Sequence, residues 1–313
     1  MAKDKNTNTT AVLVDDFVMR FDTSTVIDHL SFNVQKGETF GFLGSNGSGK
    51  TTTIRALLGI YQPTAGTLLV NGKQFRPEMG GKLGYLPEER GLYRKEAVLD
   101  VMVYFGLLKG MDRHAALTWS QSYLERVGMS ELAHSRVEKL SGGQQQKVQL
   151  GVTIMNDPDL LILDEPTKGF DPVNRRLLMD IIEDHKERGA TVVMVTHQME
   201  EVERLCDRII MLKDGKSAAY GTVDEVKDQF GTSVIEVGFT GVMPMLKDLF
   251  TIQLKQPNYA VLKPARAGTE PDIIRALAAH KGLNISSFTT SKPSLDDIFV
   301  RIYGEQTEDK NGK

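Results

Sequence analysis

Three runs of consecutive apolar residues stand out along the chain: Phe40-Gly41-Phe42-Leu43, Leu160-Leu161-Ile162-Leu163 and Val192-Val193-Met194-Val195. Unbroken apolar runs of this length suit parallel strands buried on both faces rather than strands with one wet face. Residues 12–21 and 26–34 read instead as antiparallel strands, and 66–70 as a further strand closed by the turn pair Asn71-Gly72. Together they predict a β-layer beside a parallel core. From 99 to 139 the apolar spacing turns helical, through Met102, Phe105, Leu108, Leu117, Tyr123, Leu124 and Val127. Met102, Tyr104 and Phe105 read there as plain helical core in preference to a partner-facing surface. Past 231, segments at 234–239, 243–250, 251–254, 259–262, 272–280 and 283–289 predict strand, helix, strand, strand, helix, strand, a ferredoxin-like order. A last helix follows Pro293, with Ser294 as its cap and Asp297 three residues on, close to a capping box. The residues from 304 to 313 read as a solvated tail.

Chemistry gathers where the apolar runs end. After Leu43 comes Gly44-Ser45-Asn46-Gly47-Ser48-Gly49-Lys50-Thr51, followed by Thr52 and an apolar helix near Ile54. Strand, glycine-rich loop, helix is the arrangement that wraps backbone N–H groups around phosphates and aims a helix N-terminus at them. Lys50 would reach the β- and γ-phosphates, and the Thr51 hydroxyl suits Mg²⁺, a hard cation that prefers oxygen. The second run ends in Asp164-Glu165-Pro166, which puts an acid for Mg²⁺ (Asp164) and a candidate general base (Glu165) at the crevice where strands of an open α/β sheet finish. The third delivers His197 to the same edge, as a γ-phosphate contact. The other histidines, at 29, 114, 134, 185 and 280, have no metal-ligand spacing. Ser141 is a helix cap ahead of the bare N–H groups of Gly142 and Gly143, with a helix expected over 144–155, and this makes a second anion-facing helix start. One nucleotide has one γ-phosphate end, so the economical reading gives this second site to the nucleotide of a neighbouring copy.

With both the loop and Leu140-Ser141-Gly142-Gly143-Gln144 in one chain, residues 12–231 resemble the nucleotide-binding subunits of ABC transporters. Leu140 to Gln144 is similar to the family's signature sequence, Leu160 to Glu165 to its Walker B strand, and Gly169-Phe170-Asp171-Pro172 to its D-loop, whose aspartate, here Asp171, organises the dimer interface. His197 resembles the switch histidine. Phe21 falls where the family places an aromatic that stacks on adenine, its bland alternative being a core phenylalanine of the N-terminal hairpin. The resemblance implies two copies, or a copy and a homologous subunit, clasped head to tail. Each ATP would lie between one loop and the other copy's Ser141, Gly142, Gly143 and Gln144. It also implies a multi-span membrane permease as partner, a cytoplasmic position on the inner membrane face, and, from residues 86–93 and 169–174, the export-type branch with a small extra C-terminal domain. Two positions depart from the pattern. Glu88, in Tyr85-Leu86-Pro87-Glu88, stands where the family's Q-loop has glutamine; it can still ligate Mg²⁺ but cannot donate an amide hydrogen bond. Lys168 replaces a small residue, and the sequence offers no reason for it.

Composition narrows the alternatives. The chain has 313 residues, 25% charged and 40% hydrophobic, which is ordinary for a globular protein of more than one domain. The expected division is 1–231 for an α/β ATPase core of P-loop type with a helical subdomain at about 98–140, 232–303 for an α+β accessory domain, and a tail. A net charge of −3 supplies no basic field for nucleic acid. No apolar run spans a bilayer and residues 1–10 lack a secretory core. Cys206, the single cysteine, leaves no disulfide partner within the chain and reads as a small buried hydrophobe. A soluble non-transport ABC ATPase acting on ribosomes or DNA is the alternative, as is a binding module with degraded catalysis. The first would usually bring a tandem nucleotide domain or a long coiled-coil insertion, the second would lack Lys50, Glu165 or His197.

Overall fold

The computed structural model describes residues 9–89, 91–230, 234–266 and 268–304. The boundary expected at 231–232 and the tail beyond 304 lie outside the described residues. The chain divides into two compact units between Thr222 and Val223.

The first unit opens with β1 (Thr10–Phe21), β2 (Ser24–Gln35) and β3 (Thr39–Gly44), then α1 (Lys50–Leu57), β4 (Ala65–Val70) and β5 (Leu83–Leu86). Next come α2 (Val98–Leu108), α3 (Arg113–Arg126) and α4 (Gly142–Ile154), then β6 (Leu160–Asp164), α5 (Pro172–Glu187) and β7 (Thr191–Val195). It closes with α6 (Met199–Leu205), β8 (Arg208–Lys213) and β9 (Lys216–Thr222). One sheet runs β2-β1-β4, all antiparallel; the other runs β5-β6-β7-β3-β8-β9, parallel except for the last pair. Every residue of β3, β6 and β7 is buried, which is why those strands read as continuous apolar runs. Phe17, Ile27 and Leu30 from the antiparallel sheet share one core with Phe40, Phe42, Ile162, Val195 and Ile210 from the parallel one, so the β-layer packs on the sheet that carries the chemistry. The Asn71-Gly72 turn has φ of 49° and 75°, the left-handed pair a tight hairpin turn demands.

In the helical segment Met102 is fully buried, as expected, but Tyr104 is not core. It is 44% exposed and meets Tyr93 edge-on at 5.5 Å. Two residues advance about 200° around a helix, so Met102 and Tyr104 cannot face the same side.

The second unit contains α7 (Val223–Phe230), β10 (Val234–Gly241), β11 (Phe250–Gln256), β12 (Tyr259–Pro264), α8 (Glu270–Ala278), β13 (Leu283–Ser291) and α9 (Leu295–Gly304). Its strands lie in the order β11-β12-β10-β13 with every neighbour antiparallel, which is the ferredoxin-like arrangement. The helix expected over 243–250 does not form; those residues make irregular chain, a turn and the start of β11. Pro244 explains this, since it disfavours helical geometry at Met243 and leaves too few residues before Phe250 to propagate a helix. Met243 and Phe250 are nevertheless buried in the small core, so the apolar spacing reported burial correctly and conformation wrongly. The cap before α9 forms: Ser294 Oγ accepts from Asp297 N at 3.1 Å, and Ser294 N donates back to Asp297 Oδ2 at 3.2 Å. Among the described residues no helix is long and apolar enough to cross a membrane.

Candidate nucleotide site

Parallel register brings the candidate residues to one edge. Phe42 and Asp164 both lie opposite Val195, and Leu86 lies opposite Leu163, so the segments that follow β3, β5, β6 and β7 leave the sheet at about the same level. From β3 the chain enters the loop 44–51, where Ser45, Asn46 and Gly47 are exposed and Ser48 and Gly49 are buried. Gly49 must be glycine: its φ is 106° and an added Cβ would fall 2.3 Å from Ile27 Cδ1. It caps α1 without a side-chain hydrogen bond, which leaves the first-turn N–H groups of that helix to an anion. Lys50 Nζ folds back on the loop, donating to Gly44 O at 2.7 Å and Ser45 O at 3.0 Å. Burial lowers the pKa of its ammonium, against the pull of Glu165, Asp164 and Glu88. Thr51 and Thr52 are half-buried in the first turn of α1.

Glu165 leaves β6 with φ at 50°, a left-handed conformation for a residue with a side chain. Such strain persists where the surroundings over-determine it, and here its N–H donates to Val195 O at 2.7 Å. The turn points the carboxylate at His197, whose Nδ1 is 2.8 Å from Glu165 Oε1. Asp164, 3% exposed, has its carboxyl pushed up to about 6 by burial first and by Glu88 and Glu165 next, with Lys50 pulling the other way. Glu88, Gln145, Gln146, Glu165 and Lys168 line a cleft of about 700 Å³.

The acid at 164 gives a pH-dependent test. Its folded-state pKa, about 6, lies above the ordinary 3.8, so ionising it destabilises the fold: nothing is lost below pH 3.8, and the full penalty applies above pH 6. At about 1.4 kcal/mol per pH unit, Asp164→Asn should stabilise the nucleotide-free chain by up to about 3 kcal/mol at pH 8 and hardly at all near pH 3.5. Denaturant unfolding of both proteins at the two pH values checks this; an equal gain at both would contradict it.

The remaining candidates lie on other elements. Ser141 is exposed and caps α4 in a reciprocal box, its Oγ accepting from Gln144 N at 3.3 Å and its N donating to Gln144 Oε1 at 2.8 Å. Gly142 and Gly143 form the first turn behind it. Asp171 is exposed and caps α5, accepting from Val173 N and Asn174 N at 3.0 Å each. Phe21 is 40% exposed, 5.4 Å edge-on from Tyr61, and therefore not a core residue.

An ABC transporter family profile matches residues 27–168, and a profile for the C-terminal domain of DrrA1-3-like ATP-binding proteins matches 221–303. The uncharacterised ABC transporter ATP-binding protein YhaQ of Bacillus subtilis is 36% identical over 293 residues, 93% of this chain and 98% of that protein. The Nod factor export ATP-binding protein I of Burkholderia lata is 34% identical, over 93% and 96% of the two chains. A solved ATP-binding subunit of an ABC transporter superposes with a TM-score of 0.66 at 28% identity, covering 71% of this chain and 93% of that one. The chain belongs to the ABC transporter ATP-binding proteins. As a member of that family it binds ATP and is an ATPase, on the P-loop ABC fold.

Around the site, this ABC ATP-binding protein uses residues that sequence reading passed over. Glu201 is 3% exposed; it accepts from Thr196 Oγ1 at 3.4 Å, takes a short hydrogen bond from Thr167 and lies 3.7 Å from Arg175 Nε. It ties the chain after β6 to the chain after β7. Gln146 and Gln149, also buried, reach from α4 to Pro166 O at 3.3 Å and Glu89 O at 3.2 Å, so the signature helix holds both acid-bearing segments. Gln146 and Gln149 lie three apart, on one face of a helix that carries other polar residues, so the sequence did not single them out, and nothing in it marks Glu201.

Proposed function

We propose that this subunit closes on Mg–ATP with a second copy, or a homologous subunit, and that opening after hydrolysis drives a separate multi-span permease at the inner face of the membrane. One observation carries the catalytic half: a strained Glu165 paired at 2.8 Å with His197, on the sheet edge from which the Lys50 loop also leaves. Glu165 is the base that takes a proton from the attacking water, and His197, with Nδ1 on Glu165, turns Nε2 to the γ-phosphate. Lys50 exchanges its two carbonyl partners for the β- and γ-phosphates. The Thr51 hydroxyl, Asp164 and Glu88 are oxygen donors fitted to Mg²⁺, and Asp164 is a buried acid held short of counter-charge. Bound Mg²⁺ would supply charge neutralisation at the phosphates.

The shared-site half is supported by α4. Its capping box satisfies the Ser141 and Gln144 N–H groups, and the N–H groups of Gly142 and Gly143 remain as first-turn donors for an anion brought by another chain. Asp171 sits at the copy–copy face and Phe21 under the adenine. Export is the direction suggested by the names of relatives, Nod factor export protein I and the linearmycin resistance protein LnrL of Bacillus subtilis. The small C-terminal unit, whose described residues carry no phosphate loop or acid–base cluster, assists rather than catalyses. Co-reconstitution with a multi-span protein encoded beside it should raise ATP turnover above that of the isolated subunit; turnover indifferent to every such partner would contradict the transport assignment.

A further inference from the structure

Two departures from the family pattern sit side by side. Lys168, in the turn after β6, places its Nζ 2.6 Å from Oε1 of Glu88, in the segment after β5. The backbone on both sides is fastened: Gln149 Nε2 donates to Glu89 O, and Lys168 N donates to Glu165 O at 3.2 Å. Glu88, Lys168 and Glu165 line one cleft, so the carboxylate that Lys168 holds faces the same space as Glu165.

We propose that Lys168 is a positioning residue, a latch that competes with the metal of Mg–ATP for the Glu88 carboxylate. The inference rests on the reading of this edge as a Mg–ATP site. A glutamine at 88 could still accept from an ammonium through its amide oxygen but would carry no charge, so the ion pair exists only because both unusual residues are present. Both side chains are about half exposed, 58% and 46%. An exposed Lys–Glu pair is a weak tie, able to shift an equilibrium by no more than about fivefold. A divalent ion can therefore displace it, and an ammonium and a divalent ion on one carboxylate repel each other. When Glu88 turns to the metal, the Lys168 side chain is released, three residues before Asp171 at the start of α5. Metal capture is thereby reported to the segment read as the copy–copy face.

The test is the binding of a fluorescent ATP analogue to the full chain, titrated with Mg²⁺ at low ionic strength. Lys168→Ala should lower the Mg²⁺ concentration at half-saturation by about two- to fivefold, the difference should shrink in high salt, and it should vanish in a Glu88→Gln background. An unchanged midpoint in Lys168→Ala, or an equal shift in both backgrounds, overturns the latch. If the unmodified chain binds the analogue no better with Mg²⁺ than without, the metal-site reading falls, and the latch with it.

Discussion

Glu165→Gln should lower Mg–ATP turnover by about 10²- to 10⁴-fold, the range spanned by general-base contributions, while ATP binding survives. The amide matches the carboxylate in shape and can still accept from His197 Nδ1, now 2.8 Å from Oε1, but it cannot take a proton from water. Geometry favours this position over its neighbour. Asp164 is buried and its proton is held up to about pH 6, whereas Glu165 is turned out of β6 by a left-handed backbone toward the cleft. Phosphate release and equilibrium nucleotide binding, measured on the same preparation, separate the two effects. Turnover near that of the unmodified chain would remove Glu165 as the base.

Ser141→Arg should be as damaging, for a different reason. Part of its effect is local: losing the cap on α4 costs about 1 kcal/mol, which Ser141→Ala would report alone. The larger part arises only if a partner's γ-phosphate docks on this helix start, because an arginine side chain would fill the space in front of Gly142 and Gly143. The arginine variant should thus bind ATP through its intact loop yet turn it over far more slowly than Ser141→Ala. Similar turnover for the two substitutions would reduce Ser141 to a helix cap.

Much of the candidate site could be proposed from the sequence because its residues are contiguous. A phosphate loop needs glycines, a lysine and a hydroxyl at fixed spacing, and the apolar runs before Gly44, Asp164 and His197 showed which edge they share. What escaped depends on distance in sequence or on conformation. Lys168 and Glu88 are brought together by the pairing of β5 with β6, and neither residue alone foretells the other. Glu201 acts through tertiary contacts with Thr167 and Thr196. The left-handed turn at Glu165 follows from its surroundings and not from its residue type, since glutamate has no preference for positive φ. In the second unit, counting apolar residues over 243–250 predicted a helix where the chain is irregular up to a turn at 247–249.

Mixing two inactive variants tests the shared site most directly. With a second copy as the proposed partner, Lys50→Ala would disable the loop and Ser141→Arg the opposing helix start, each in both sites of its own homodimer. A head-to-tail heterodimer of the two has one site with both lesions and one with neither. Random pairing at equal concentrations makes half the dimers mixed, so Mg–ATP turnover should recover to about a quarter of the unmodified level if the two sites act independently. Turnover no higher than the average of the separate variants, with mixed dimers shown to form, would contradict a nucleotide site built from two chains.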